Sequence, residues 1–341
     1  MRKAPADLQR FAPIPGRSFV VMPDGQIRVD PAKQYITPFT LVTEPEEFEV
    51  PAAVEMCPGE LAGGVADQPV IMPIDNKGPF ELCYSHFSAR FSSGPNAGMP
   101  TDQFMVVLLD PKMQALLMNR ELHARTFGGG FGSPGAAGGF GTPLSSAGGR
   151  PLVWPETFFM DPGEDGKALF LAYRNLTPFP IKVRWAFHGV RYYHLAAYKD
   201  AMKEKQKLYG RGRMAWPYFY TTDTDIVMAG GASEEFHMRL TDEADVEIFK
   251  MTHYADFPFL WRIMEKAGKR FLDSAGPGVG GAENGVHSDL GWGDGEFPFF
   301  PYETMYYEQN FKLMLKIVNN QTDQLNRVFP TFVCRKINHL G

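Results

Sequence analysis

The chain has 341 residues, 44% of them hydrophobic and 21% charged, with a formal net charge of −5. These proportions are globular and exclude wholesale disorder, and the mild acidity leaves no basic footprint for a nucleic-acid partner. The 35 Gly and 28 Pro exclude a helical bundle, because both residues break helices and build turns. A chain this long buries about three quarters of its unfolded surface, so it needs neither disulfides nor a structural metal to fold.

Residues 1–45 form a Pro-rich extended arm without core periodicity. Their start, MRKAPADLQRFAPIPGRSF, carries early positive charge but no apolar stretch, so no signal peptide is expected. No run in the chain approaches the ~20 apolar residues of a membrane span. Cys57, Cys83 and Cys334 show neither disulfide nor zinc spacing. Reduced, buried thiols fit assembly in a cytoplasm.

A first β-sandwich is expected over 46–195. Within it, Phe104–Asn119, FMVVLLDPKMQALLMN, is a hairpin turning at Asp110-Pro-Lys. A Gly-rich loop follows over 128–149, then RPLVWPETFFM from Arg150. Next comes a strand from Ala168, a turn at Asn175-x-Thr, and a second strand in which Ile181, Val183, Trp185 and Phe187 alternate with Lys182, Arg184 and His188. Strict alternation marks a half-buried strand. Residues 196–235 are expected to be helix and linker. The helix spans His194 to Tyr209, with Leu195, Tyr198, Met202 and Tyr209 on one face, and Gly210 placed to end it. Lys203, Lys205 and Lys207 near its carboxyl end suit the helix dipole.

The second β-sandwich, over 236–341, repeats the first in order. Phe259–Ser274, FLWRIMEKAGKRFLDS, aligns with Phe104–Asn119 without a gap. Its Leu260, Met264, Ala267 and Phe271 also fit a helical face, but the alignment selects a hairpin. A second Gly-rich loop over 275–295 stands where 128–149 stood. EFPFFPYETMYY brings Glu303-Thr304 to the place of Glu156-Thr157, and a strand from Lys312 meets Asn320-x-Thr as its turn. The expected fold is therefore mainly β: two tandem antiparallel, jelly-roll-like sandwiches related by a diverged internal repeat, with one short linking helix.

Chemistry-bearing patterns are sparse. The eight histidines, His86, His123, His188, His194, His237, His253, His287 and His339, make no H-x-H or H-E-x-x-H arrangement. There is no G-x-S-x-G elbow. Cys83 and His86 are three apart on a strand and so face opposite ways. Among the acids, Glu44, Glu46, Glu47 and Glu49 precede a strand; Asp223, Asp225, Asp242, Glu243 and Asp245 flank the second sandwich. TTDTDIV holds only the opening of a calcium-loop spacing, and solvated loop acids account for it. Glu156 and Glu303 are two copies of one structural role. The Gly-rich loops lack the Gly-Lys-Ser/Thr ending of a phosphate loop, and Asn175 and Asn320 mark turns rather than glycosylated sites. No catalytic, cofactor-binding or metal-ligating residue is assigned, and no cofactor is expected.

The segments LMNRELHARTFGGG, RPLVWPETFFMDPGEDGKALFLAYRN and KVRWAFHGVRYY together resemble virion proteins of tailed bacteriophages that dock β-sandwich modules on capsid, neck or tail. The resemblance covers about residues 80–195 and, through the repeat, 250–341. It implies a non-enzymatic virion subunit, assembled in the host cytoplasm in multiple copies through its arm, loops and sheet edges. Its implied partners are copies of itself and other virion proteins, without direct contact to nucleic acid or membrane. The arm at Phe11-Ala-Pro-Ile-Pro-Gly is the candidate strand-adding contact. Two other readings stand beside it. One is a carbohydrate- or ligand-binding sandwich using Trp216 or Trp292. The other is a metal-dependent enzyme on a tandem jelly roll, against which the histidine spacing counts.

Overall fold

A computed structural model describes residues 20–21, 27–28 and 36–339, apart from 58–59, 63, 66–68, 76, 129–151, 164–167, 194, 210–212, 241–243, 266–269, 272–285, 289–304 and 309–311. The docking contact expected at Phe11–Gly16, nearly all of both Gly-rich loops, Trp292 and Glu303 lie outside the described residues.

Alternating apolar and polar residues build two sandwiches, each of two antiparallel sheets. In the first, a long sheet runs in the order Leu152–Met160, Phe80–Phe91, Ile181–Tyr192 and Ile36–Val42, with Phe48–Val50 also on Ile181–Tyr192. A short sheet faces it in the order Leu122–His123, Phe104–Leu109 and Ala168–Asn175, closed by Gly64–Val65 and Val70–Pro73. The second sandwich repeats this. Its long sheet is Met305–Tyr307, Ala244–Ala255, Asn326–His339 and Arg213–Tyr220, with Ile226–Met228. Its short sheet is Phe259–Glu265 and Lys312–Asn319 between Ser233–Arg239 on one side and Arg270–Phe271 and Val286–His287 on the other. Successive strands cross between sheets in the same order in both halves.

The repeat extends to its irregularities. The strand Phe80–Phe91 carries a bulge at Cys83, between the pairs Leu82–Gly189 and Tyr84–His188. Its counterpart Ala244–Ala255 carries one at Phe249, between Ile248–Cys334 and Lys250–Val333. A bulge adds one residue to one strand and re-aims the side chains beyond it, so matching bulges fix the residue-by-residue correspondence. Gly189 sits at the first bulge because a Cβ there would meet the Glu81 carbonyl oxygen at 1.8 Å.

The hairpin readings hold: Phe259–Glu265 pairs with Arg270–Phe271, and Leu116 N–H closes onto Leu108 O at 2.8 Å. Other expectations need correction. The arm assigned to 1–45 contains Ile36–Val42, a full strand of the first long sheet. The linker assigned within 196–235 contains three strands of the second sandwich, Arg213–Tyr220, Ile226–Met228 and the start of Ser233–Arg239. Pro38 and Pro217 hid two of them. Both lie on strands at a sheet edge, where a residue without N–H is tolerated.

The second turn asparagine is Asn319, not Asn320. Asn175 is fully buried; its side-chain oxygen accepts from Thr177 N–H at 2.9 Å, and its amide donates to Pro51 O and Phe179 O. Asn319 does the same with Gln321 N–H, Met228 O, Ala229 O and Gln324 O. Each clamps the turn to the chain entering its own sandwich. Neither amide is available for glycosylation, and Asn320 is exposed.

The helix Leu195–Tyr209 lies against the first sandwich through Tyr198, Ala201, Met202 and Lys205; Leu195, placed on the buried face by periodicity, is exposed. Among the described residues no helix is long and apolar enough to cross a membrane.

Candidate functional site

The described titratable and aromatic groups converge mainly at the seam between the two sandwiches. The outer face of the second long sheet covers one end of the first sandwich. Phe219 and Val333, each fully buried, belong to the apolar core of the first sandwich rather than their own. Phe219 meets Phe127 edge-to-face at 4.9 Å and Trp154 at 6.1 Å. Its backbone is captured too: Phe219 N–H donates to Leu117 O, and Asn119 N–H to Phe219 O. The Asn119 side chain then exchanges two hydrogen bonds with the Thr221 backbone, at 2.8 and 3.0 Å. At the centre, Thr331 Oγ1 donates to Thr126 Oγ1 at 2.8 Å, with both hydroxyls buried.

Three charged or polar clusters ring this apolar centre. In the first, Glu156 is the hub. Lys205 Nζ lies 3.3 Å from one carboxylate oxygen and donates to Thr157 O; Tyr209 OH donates to the other oxygen, with Arg335 4.0 Å away. Arg335 also reaches Glu247 at 3.0 Å and Pro155 O at 3.2 Å, and lies over the Phe249 ring. One carboxylate thus ties the helix, an edge strand of the first sandwich and a central strand of the second. Burial pushes the Lys205 ammonium below its ordinary pKa, and the Glu156 charge only partly restores it. Burial and the bond to Glu156 push the Tyr209 phenol up. The ammonium sits 5.0 Å from the Phe159 ring centre and 5.3 Å from that of Trp216. Trp216, a candidate glycan platform from sequence, is therefore half-buried in the seam.

In the second cluster, Asp225 accepts from Arg120 at 2.5 Å and from Arg174 at 2.9 Å, and Glu121 lies 2.5 Å from Arg174. The half-formed calcium-loop spacing at TTDTDIV is thus occupied by two guanidinium groups of the other sandwich. Asp223 stays exposed and outside this arrangement.

In the third, His123 is fully buried and stacks on Tyr254 at 4.0 Å with the rings 5° from parallel. Arg125 N–H points to its Nδ1 at 3.4 Å, so Nε2 carries the proton, and Nε2 finds no partner among the described residues. Tyr254 OH accepts from Gln103 at 2.6 Å, and Asp256 pairs with Arg327 at 2.7 Å. Burial, with the charges of Arg125 and Arg327, holds the His123 imidazole well below its ordinary pKa. Asp102, 3.8 Å from Arg125, is pushed up by burial.

Other singled-out residues scatter. The bulge at Cys83 overturns the expected opposite facing: Cys83 lies toward Lys205 of the helix, which packs on the outer face, and His86 faces outward on that side, 6.4 Å from His188. Glu47 pairs with Arg90 at 2.7 Å, and Asp245 accepts from Tyr306 OH. Among the described residues no group of three or more His, Cys, Asp or Glu side chains is placed to hold a metal. Sequence reading missed Lys205, Tyr209 and Arg335 as a unit with Glu156, because three separate elements bring them together.

No family model matches the chain, and no curated protein does. Solved structures with weak likeness include PNGF-II, at 11% identity and TM-score 0.29 over 84% of this chain. The chain spans 65% of the length of that protein. The VP2 subviral particle of infectious bursal disease virus is similar at 10% identity and TM-score 0.21, over 96% of this chain and 76% of that one. The structure of infectious bursal disease virus Gx strain gives 9% identity and TM-score 0.22, over 90% of this chain and 77% of that one.

Proposed function

We propose that this chain is a non-enzymatic structural subunit of a viral particle, of the tailed-phage kind its sequence resembles, used in multiple copies. The observation that carries the reading is the composition of the seam. Its acids face arginines or lysine at 2.5–4.0 Å in each ring cluster, and its hydroxyls and amides bind one another. Buried charges paired in this way cost much of what their attraction returns, and their best-attested use is to fix geometry. A seam that spends its polar groups on itself makes one rigid block from two sandwiches, as a shell or tail component requires. Partners are then other copies and other particle proteins, the chain sits in the virion, and neither nucleic acid nor membrane is contacted directly.

Density-gradient fractionation of the native source, with mass spectrometry of each fraction, tests this. Stoichiometric multicopy co-migration with particles is expected. A chain found only among free proteins would overturn the reading.

A further inference from the structure

The outer face of the first long sheet is the counterpart, strand for strand, of the face buried in the seam; the helix covers its Val190 end, and the strip around His86, Ala186 and His188 stays open. With Cys83 and Phe249 as the matching bulges, Tyr84 corresponds to Lys250, His86 to Thr252 and Ser88 to Tyr254. On the neighbouring strands His188 corresponds to Val333, Ala186 to Thr331, and Thr40 to Phe219. Thr252, Thr331, Val333 and Phe219 are at most 1% exposed. Their counterparts His86, Ala186 and His188 are half-exposed, and Thr40 is exposed. Val42, the counterpart of buried Thr221, is 45% exposed.

The central strip is uncharged: Tyr84 stacks on His188 at 4.9 Å, and Thr40 bonds the His188 ring at 3.1 Å. Burial and the neighbouring His86 keep His188 below its ordinary pKa. Charges, Arg184, Arg90 and Glu47, flank the strip. An uncharged, aromatic-bearing centre with a charged rim is the anatomy of a docking surface.

The molecule also carries the matching plug. In the seam, this kind of face receives Gln103 and His123 from the end of the first sandwich. Two positions of the corresponding end are described in the second sandwich: Pro258 stands where Gln103 does, and His287, paired with Leu260 as His123 is with Met105, stands where His123 does. Pro258 is exposed and His287 half-exposed.

We infer that a second copy of this chain docks the end of its second sandwich, at Pro258 and His287, on the outer face of the first sandwich, at Tyr84, His86, Ser88 and His188. The contact repeats between molecules the seam that exists within one. It is heterologous, so it propagates head-to-tail until it closes a ring or opens into a filament. This inference rests on the multicopy reading above and specifies which surfaces serve it.

Two measurements on the full chain test it. Sedimentation velocity across a concentration series should show self-association, weakened at least tenfold by Ala186→Arg, with the unfolding midpoint unchanged because the site is a surface one. Mixed single variants Ser88→Cys and Pro258→Cys should then form a disulfide-linked dimer under mild oxidation, mapped by mass spectrometry to those two positions. Self-association unaffected by Ala186→Arg, with no Ser88–Pro258 link, would overturn this docking mode and leave the virion-subunit reading standing. A wild-type chain that stays monomeric at every concentration would overturn the docking mode, whereas only absence from particles overturns the subunit reading.

Discussion

The same sheet face occurs twice in this molecule with opposite fates. In the second sandwich it carries Phe219, Thr331, Val333 and Tyr254 and is sealed against the first. In the first sandwich it carries Thr40, Ala186, His188 and Ser88 and meets solvent. Backbone, register and bulge are shared. The difference lies in the side chains: apolar and aromatic groups where burial is permanent, small polar groups and imidazoles where it is not. That pattern separates a contact formed during folding from one formed afterwards. A face exposed in the free chain cannot carry a large apolar patch without risking aggregation.

The largest effect that sharpens this contrast is expected from Phe219→Ala. Removing a fully buried ring from the aromatic cluster of Phe127 and Trp154 should cost about 3–5 kcal/mol in urea unfolding. Thr40→Ala, at the equivalent open position, should stay within about 0.5 kcal/mol. Next comes Glu156→Ala. It strands Lys205 and leaves Arg335 with Glu247 alone, and a cost of about 3 kcal/mol is expected. A cost below about 1 kcal/mol would mean that the seam does not depend on this hub. Smaller and symmetric effects are expected from the turn asparagines. Asn175→Ala and Asn319→Ala should each cost about 1–3 kcal/mol by leaving buried backbone groups unpaired. Asn320→Ala, on the exposed neighbour, should be near neutral.

Much of the fold was legible because local rules held. Ala168–Asn175 and Lys312–Asn319 alternate in burial as their sequences alternate in polarity, and the first hairpin turns at Asp110-Pro111 as its sequence demands. The edge strands were not legible. Pro38 and Pro217 argue against strand locally, and only pairing with Ile181–Tyr192 and Asn326–His339 overrides them. The asparagine was misplaced by one because Asn-x-Thr resembles a signal, whereas the turn needs an asparagine at the last inward position of its strand. The seam was illegible for a different reason. Lys205 appeared as one of three helix-end lysines, and nothing local distinguishes it. Its burial follows from the helix meeting Glu156 of a distant strand.

Acid should open the seam modestly, and the histidines give the sign. His123 has a folded pKa below its unfolded value near 6.5, because burial and two arginines disfavour the imidazolium. Its contribution to stability is therefore fully present above pH 6.5 and is lost as pH falls below it. Asp102 acts the other way. Its folded pKa is raised, so its contribution is complete below its unfolded pKa near 3.8 and is lost as pH rises through the folded value. The two groups therefore act in opposite directions as the pH falls. Full linkage is worth at most about 1.4 kcal/mol per pH unit, so the histidine's loss between pH 6.5 and 5 has a ceiling of about 2 kcal/mol. His188, the half-exposed imidazole of the open face, is lowered in the same direction but keeps access to water. Urea midpoints measured across that window should fall for the wild type and flatten for His123→Gln, with His188→Gln retaining most of the fall. If His188→Gln flattens the curve instead, the open face rather than the seam is the acid-sensitive element.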